Sequence, residues 1–194
     1  MTDILRPDHG ILFMKVGTHA KESLEDIIAR KTAEIEKAGV AFWGYGGNTC
    51  HPQGMVQPFA KAFEEKGGAI YLCMEEMESK HFAEPLRADQ YSVDGTTWED
   101  INPAINVLGS RFALVIEDLH SEHLVLPLAR TQVAVGNSRG RLGSKYIKGR
   151  VDKACLAIDS ALTQPIAPDE PQVEIGLVAK IVKPYAVYVR NRPR

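Results

Sequence analysis

The sequence predicts an α/β fold: a mixed, largely parallel sheet flanked by helices, with an antiparallel β-hairpin at the C-terminus. Three patterns carry that expectation. Short apolar runs alternate with helix-period segments through the first 73 residues, as in strands joined by helical crossovers. Gly and Pro fall at the joints. The last 20 or so residues switch to a two-residue alternation, the mark of half-buried strands.

The elements follow in order. Gly10 precedes Ile11-Leu12-Phe13-Met14, a run suited to a buried strand. Ser23 starts a helix with Asp26 three residues on, Leu24, Ile27, Ile28 and Ile35 share one face, and Gly39 stops it. Val40 to Trp43 reads as a second strand. Pro58 is expected to open a short helix with Phe59, Ala60 and Phe63 inward, and Ala69 to Cys73 is a third strand. Residues 74–110 read as an irregular, polar excursion with the turn Asp94-Gly95 and one short helix after Trp98. Arg111 to Ile116 and Thr131 to Val135 resume strand patterns. Val151 to Leu162 reads as a helix, since Val151, Ala154, Cys155, Ile158 and Leu162 fall on one face. Lys183-Pro184 splits the alternation of residues 172–190 into a hairpin. No repeat interrupts the chain, and residues 1–194 read as one domain.

Charge and composition narrow the function. The 23 basic and 25 acidic residues nearly cancel, which argues against a global attraction to nucleic acid and makes any anion site local. No apolar run approaches the ~20 residues of a membrane helix. Three widely spaced cysteines, without a C-x-x-C pair, fit reduced thiols, and the chain reads as cytoplasmic.

Parallel sheets bind ligands at the carboxyl ends of their strands. Here those ends fall at Gly17-Thr18-His19, at Gly44 to Pro52 and at Gly136 to Lys145. In the second loop Tyr45 offers a ring face, as does Trp43 just before it. Gly46 and Gly47 allow positive φ and close approach, and Asn48 and Thr49 offer hydrogen bonds. The spacing is neither that of a P-loop nor that of a dinucleotide fingerprint. The third loop carries Arg139, Arg141 and Lys145 among small residues and no acid, a suitable set for phosphate oxygens. Together they point to binding, by sequestering or sensing, of a phosphorylated, nucleotide-like small molecule.

Two other classes compete. One is a transferase or hydrolase acting on such a ligand through Cys50 or His51, with His19 or His81 as a partner base. The bland alternative leaves Cys50 as a small residue packed under the loop. The other class is a nucleic-acid-associated protein, which a lone Tyr146 in the basic loop supports weakly. His120 and His123 beside Asp118 and Glu122 fit a polar loop as well as a metal site, so neither metal nor cofactor is expected. An edge hairpin rich in Val and Ile would suit pairing across a homodimer.

Overall fold

A computed structural model describes residues 3–46, 51–78, 83–147, 151–159 and 164–193. Nine strands, β1 (Gly10–Val16), β2 (Ala41–Tyr45), β3 (Ile70–Glu76), β4 (Gln90–Ser92), β5 (Glu99–Asp100), β6 (Phe112–Pro127), β7 (Thr131–Val133), β8 (Lys153–Ile158) and β9 (Gln172–Arg190), form one sheet. The main path runs β2-β6-β9-β3-β1-β8-β7, and the short pair β4–β5 hangs on the end of β9. Three α-helices, α1 (Leu24–Ala38), α2 (Gln53–Glu64) and the single turn α3 (Gly143–Tyr146), and two 3-10 turns at Leu128–Arg130 and Gly136–Ser138 complete the regular structure of the described residues.

The expected parallel sheet is overturned. Only β1 and β3 pair in parallel; the other pairs among the described residues are antiparallel. The alternation of strand and helix is real from β1 to β3, but β2 leaves its sequence neighbours and pairs with β6 at the far end of the sheet. Non-local pairing sets strand order, and local periodicity carries no record of it. The helices do not flank the sheet either. Ile27 of α1 and Val56, Phe59 and Ala60 of α2 join one cluster on one face, with Leu12, Met14, Trp43 and Leu72. The opposite face is covered partly by Ile4, Leu5 and Ile147 and partly by Ala88, Ile101, Ile105 and Val107.

Alternation explains the apolar runs. Leu12, Met14 and Val16 face the helices, while Ile11 and Phe13 face the second cluster. In β6, Phe112, Leu114 and Ile116 face the helices, while Ala113 and Val115 face the third cluster. Both faces are buried, so both sets must be apolar.

Several elements differ from expectation. Residues 153–158 are a strand, not part of a helix: Cys155 faces the helical side and Ala154, Leu156 and Ile158 the other. A six-residue stretch with five apolar residues satisfies both periods, and pairing with β1 and β7 decides the outcome. The C-terminal hairpin is a single strand, β9, central between β6 and β3. Lys183-Pro184 lies at a bulge: Ile181 pairs with Ile116 and Ala186 with Leu114. The edge hairpin offered for a homodimer therefore does not exist. α2 starts at Gln53 after the N-cap Pro52 and contains Pro58 internally. The residues after Trp98 form β5, which pairs back onto β4, instead of a helix.

Other local signals are met. Ser23 caps α1 by accepting from the Asp26 N–H at 3.1 Å, and Gly39 ends it with φ +80°. Asp94 accepts from the Thr96 and Thr97 N–H groups at 2.7 Å, fixing the Asp94-Gly95 turn and holding its carboxyl well below the usual range. No helix among the described residues is long and apolar enough to cross a membrane.

Candidate functional site

β1 and β2 are four places apart in the sheet, yet residues at and beyond their carboxyl ends line one cavity of about 380 Å³. The sheet curls to achieve this. β6 and β9 shift register between Leu114 and Ile116 and twice more before Leu124, and such bulges bend paired strands. The floor is Met14, Val16 and Lys153; α1 contributes Ile27, Arg30 and Lys31; β2 contributes Trp43, Gly44 and Tyr45. Gly17-Thr18-His19, Met77 and the loop Val107–Arg111 complete the lining.

The lining is both aromatic and cationic. Arg30, Lys31, Arg111 and Lys153 stand with one acid, Asp152, in a chain with a formal net charge of −2, while Lys15 borders the cavity from the strand position that alternates away from Met14 and Val16. Counting Glu22 and Glu34, which pair with Arg30 from within the wall, still leaves four cations against three acids. Trp43 and Tyr45 are about one-twentieth exposed, and Tyr45 packs its ring 5.4 Å from Phe112.

The α1 wall is a closed ion network. Lys31 Nζ donates to both Glu34 carboxylate oxygens (3.1 and 3.0 Å) and to the Asn106 carbonyl (2.8 Å). Arg30 donates to Glu22, to Glu34 and to the same Asn106 carbonyl, and the Asn106 N–H donates back to Glu34 at 3.0 Å. Burial pulls the Lys31 ammonium down to about 8, with Glu34 opposing that effect. The network fastens α1 to the loop that forms the opposite rim.

The rim is tightly packed. A Cβ on Gly44 would run into the Ser110 side chain, with its Cβ at 2.9 Å, and into Val107 Cγ1 at 3.1 Å. The loop can lie against β2 only because residue 44 has no side chain. His19 Nε2 lies 3.0 Å from the Leu108 carbonyl, to which Ser110 Oγ also donates at 3.0 Å. A carbonyl only accepts, so His19 carries its proton on Nε2 and has no lone pair there for Ser110, 3.5 Å away. In this arrangement Ser110 Oγ donates to the carbonyl at 3.0 Å and not to the imidazole. The turn between His19 and Glu22 holds Ala20 and Lys21 at φ +48° and +66°, local strain at the cavity mouth.

The residues singled out by sequence divide into three groups. Tyr45, Gly46, Trp43 and His19 line the cavity. Gly47, Asn48, Thr49, Cys50 and His81 lie outside the described residues. His51, Arg139, Arg141 and Lys145 are described but do not line it. Gly46 has no positive φ, and a Cβ there would meet nothing closer than the Arg111 N at 3.6 Å, so the special backbone expected of it is not present. His51 is buried, stacks on Tyr146 at 6.2 Å between centroids, and has no hydrogen-bond partner for Nε2 among the described residues. Burial, then the charge of Lys153, lowers its pKa from 6.5. Arg139 and Arg141 are exposed, and Arg139 Nε donates to the Ala134 carbonyl at 3.0 Å. No helix starts beside them at Val151 to add its dipole, since Lys153–Ile158 is a strand.

Cys73 and Cys155 are buried free thiols whose pKa burial pushes far up, which makes them inert. Among the described residues no group of three or more His, Cys, Asp and Glu is placed to hold a metal. The sequence reading missed Lys15, Arg30, Lys31, Ser110, Arg111 and Lys153. One of them left a signal: Lys31 sits four residues after Ile27 and four before Ile35, a lysine inside the apolar stripe of α1.

Comparison with protein-family models, with curated proteins and with solved structures finds no match.

Proposed function

We propose that the protein binds a phosphorylated, nucleotide-like small molecule in the cavity between α1, β1 and β2. The observation that carries this reading is the lining: two aromatic side chains and six other apolar ones enclosed with an excess of cations, in a chain that is net negative. A flat ring packs against Trp43 or Tyr45, and the cations balance phosphate charge. A volume of about 380 Å³ stands near the lower end of ligand pockets, ~300–1,000 Å³, which suits one nucleotide better than a dinucleotide. Arg139, Arg141 and Lys145 lie outside this lining and serve the ligand only if its phosphates extend beyond the mouth.

Binding without conversion is the favoured form of the activity. His19 and Ser110 are both tied to the Leu108 carbonyl, and Cys73 and Cys155 are buried. The test is mass spectrometry of small molecules released by denaturing the purified protein. A binder returns a phosphorylated heterocycle unchanged, and adding that compound back raises Tm with concentration, as expected of a ligand that binds only the native state. Release of a reaction product after incubation with the compound would identify an enzyme instead. A cavity that retains nothing and a Tm indifferent to mononucleotides would refute the reading.

A further inference from the structure

We infer that Lys153, and not the Arg30–Lys31 pair, seats the anionic group of the ligand. The assignment rests on the cavity reading above and follows from counting donors. An ammonium has three N–H donors. All three of Lys31 are engaged, two by Glu34 and one by Asn106. Arg30 is likewise committed to Glu22, Glu34 and Asn106. An anion approaching α1 would have to displace a buried carboxylate, since the Glu34 side chain is 2% exposed.

Lys153 differs on each point. Its side chain is 11% exposed, and its one hydrogen-bonded partner among the described residues is the Asp152 carboxylate at 3.2 Å. Asp152 is itself 31% exposed. Two donors therefore remain on a cation already removed from water. Lys153 shares its sheet face with Met14, its register partner across β1–β8, and with Cys155, so it rises from the cavity floor. A desolvated cation with open donors discriminates strongly between a ligand that supplies an acceptor and one that does not, because the unpaired state is the costly one. Arg111 also has open donors but is exposed and keeps its water, so Lys153 is the buried lining cation that makes the cavity select a phosphate ester over the corresponding neutral nucleoside.

The experiment compares AMP with adenosine, read by Trp43 fluorescence in a Trp98→Phe background. Trp98 packs under Arg190 at 3.8 Å, away from the cavity lining. In the parent, AMP should bind about tenfold or more tighter than adenosine, the effect of one or two charged hydrogen bonds. Lys153→Met should abolish that ratio while leaving adenosine affinity within about threefold; Lys153→Gln serves if the methionine variant does not fold. Lys31→Met combined with Glu34→Gln, or Arg30→Met combined with Glu22→Gln, each removing a cation together with a carboxylate it pairs with, should keep the ratio. A ratio preserved in Lys153→Met, or lost equally in the α1 variants, overturns the assignment and leaves the cavity reading standing. If neither compound nor any other mononucleotide perturbs Trp43 in the parent, the cavity reading fails and this assignment with it.

Discussion

Gly44→Ala tests whether the rim of the cavity is built on the absence of one side chain. The added methyl would overlap the Ser110 side chain, lie 2.9 Å from its Cβ and 3.1 Å from Val107 Cγ1. Rotating the Ser110 hydroxyl relieves only part of this, because the Cβ moves only with the backbone. That backbone is held by the Leu108 carbonyl against His19 and by Asn106 against Glu34 and Lys31. Overpacking of this kind costs roughly 1–3 kcal/mol, and the double anchoring places Gly44→Ala near the middle, at about 2 kcal/mol. Ser110→Gly alone should cost about 1 kcal/mol, from the lost bond to Leu108 and the added chain freedom. It also removes the clashing atoms. The double variant should then cost about 1–1.5 kcal/mol, well below the roughly 3 kcal/mol of the sum, a coupling typical of touching residues. Urea denaturation measures all four proteins; at a slope of about 2 kcal/mol/M the single alanine shifts the midpoint by about 1 M. A Gly44→Ala midpoint within 0.2 M of the parent (about 0.4 kcal/mol at that slope), or a strictly additive double variant, would show that the loop does not depend on this contact.

Further outcomes follow from other sites. Gly46→Ala should change stability by less than about 0.5 kcal/mol, since its Cβ meets only ordinary contacts; thermal denaturation reads it directly. Ser23→Ala should cost about 1 kcal/mol through loss of the α1 N-cap, and Ser23→Asp should recover most of that in the same urea titration. His51 is a base whose pKa is lowered on folding, so the unfolded chain binds the proton more tightly; its contribution is fully present above 6.5 and is lost as pH falls below that value. Stability should therefore fall as pH drops below that value, and His51→Phe should remove this fall from a plot of stability against pH between 5 and 7. Arg139→Ala with Arg141→Ala should leave Tm nearly unchanged, because both side chains are exposed; a loss of ligand affinity in that variant would extend the site beyond the cavity lining.

How far the sequence carried can be traced through particular residues. α1 was legible end to end because its signals are local: a serine cap, an apolar stripe and a glycine in the left-handed region at its stop. β1, β2 and β3 were legible as strands for the same reason. Their arrangement was not, because β2 and β1 are separated by β6, β9 and β3, whose pairings bridge intervals of up to more than a hundred residues. The polar half of β6, from Glu117 to His123, hid a strand behind exposed side chains that β9 nevertheless pairs along its backbone.

The site shows the same division. The segments after β1 and β2 border one cavity although the two strands are neither parallel neighbours nor adjacent, while no residue of the basic loop at 136–145, named beside them from the sequence, lines it. Aromatic and glycine residues advertise themselves in a sequence, so Trp43 and Tyr45 were found. Lysines do not, because most are solvated. Lys153 lies in the stretch whose period admits both helix and strand, and reading it as helix put that lysine on a turn of helix instead of the cavity floor. Assigning β8 correctly is therefore what turns a surface-looking lysine into a buried cation. The same two-fold ambiguity that cost the secondary structure also concealed the residue on which ligand selection is now proposed to turn.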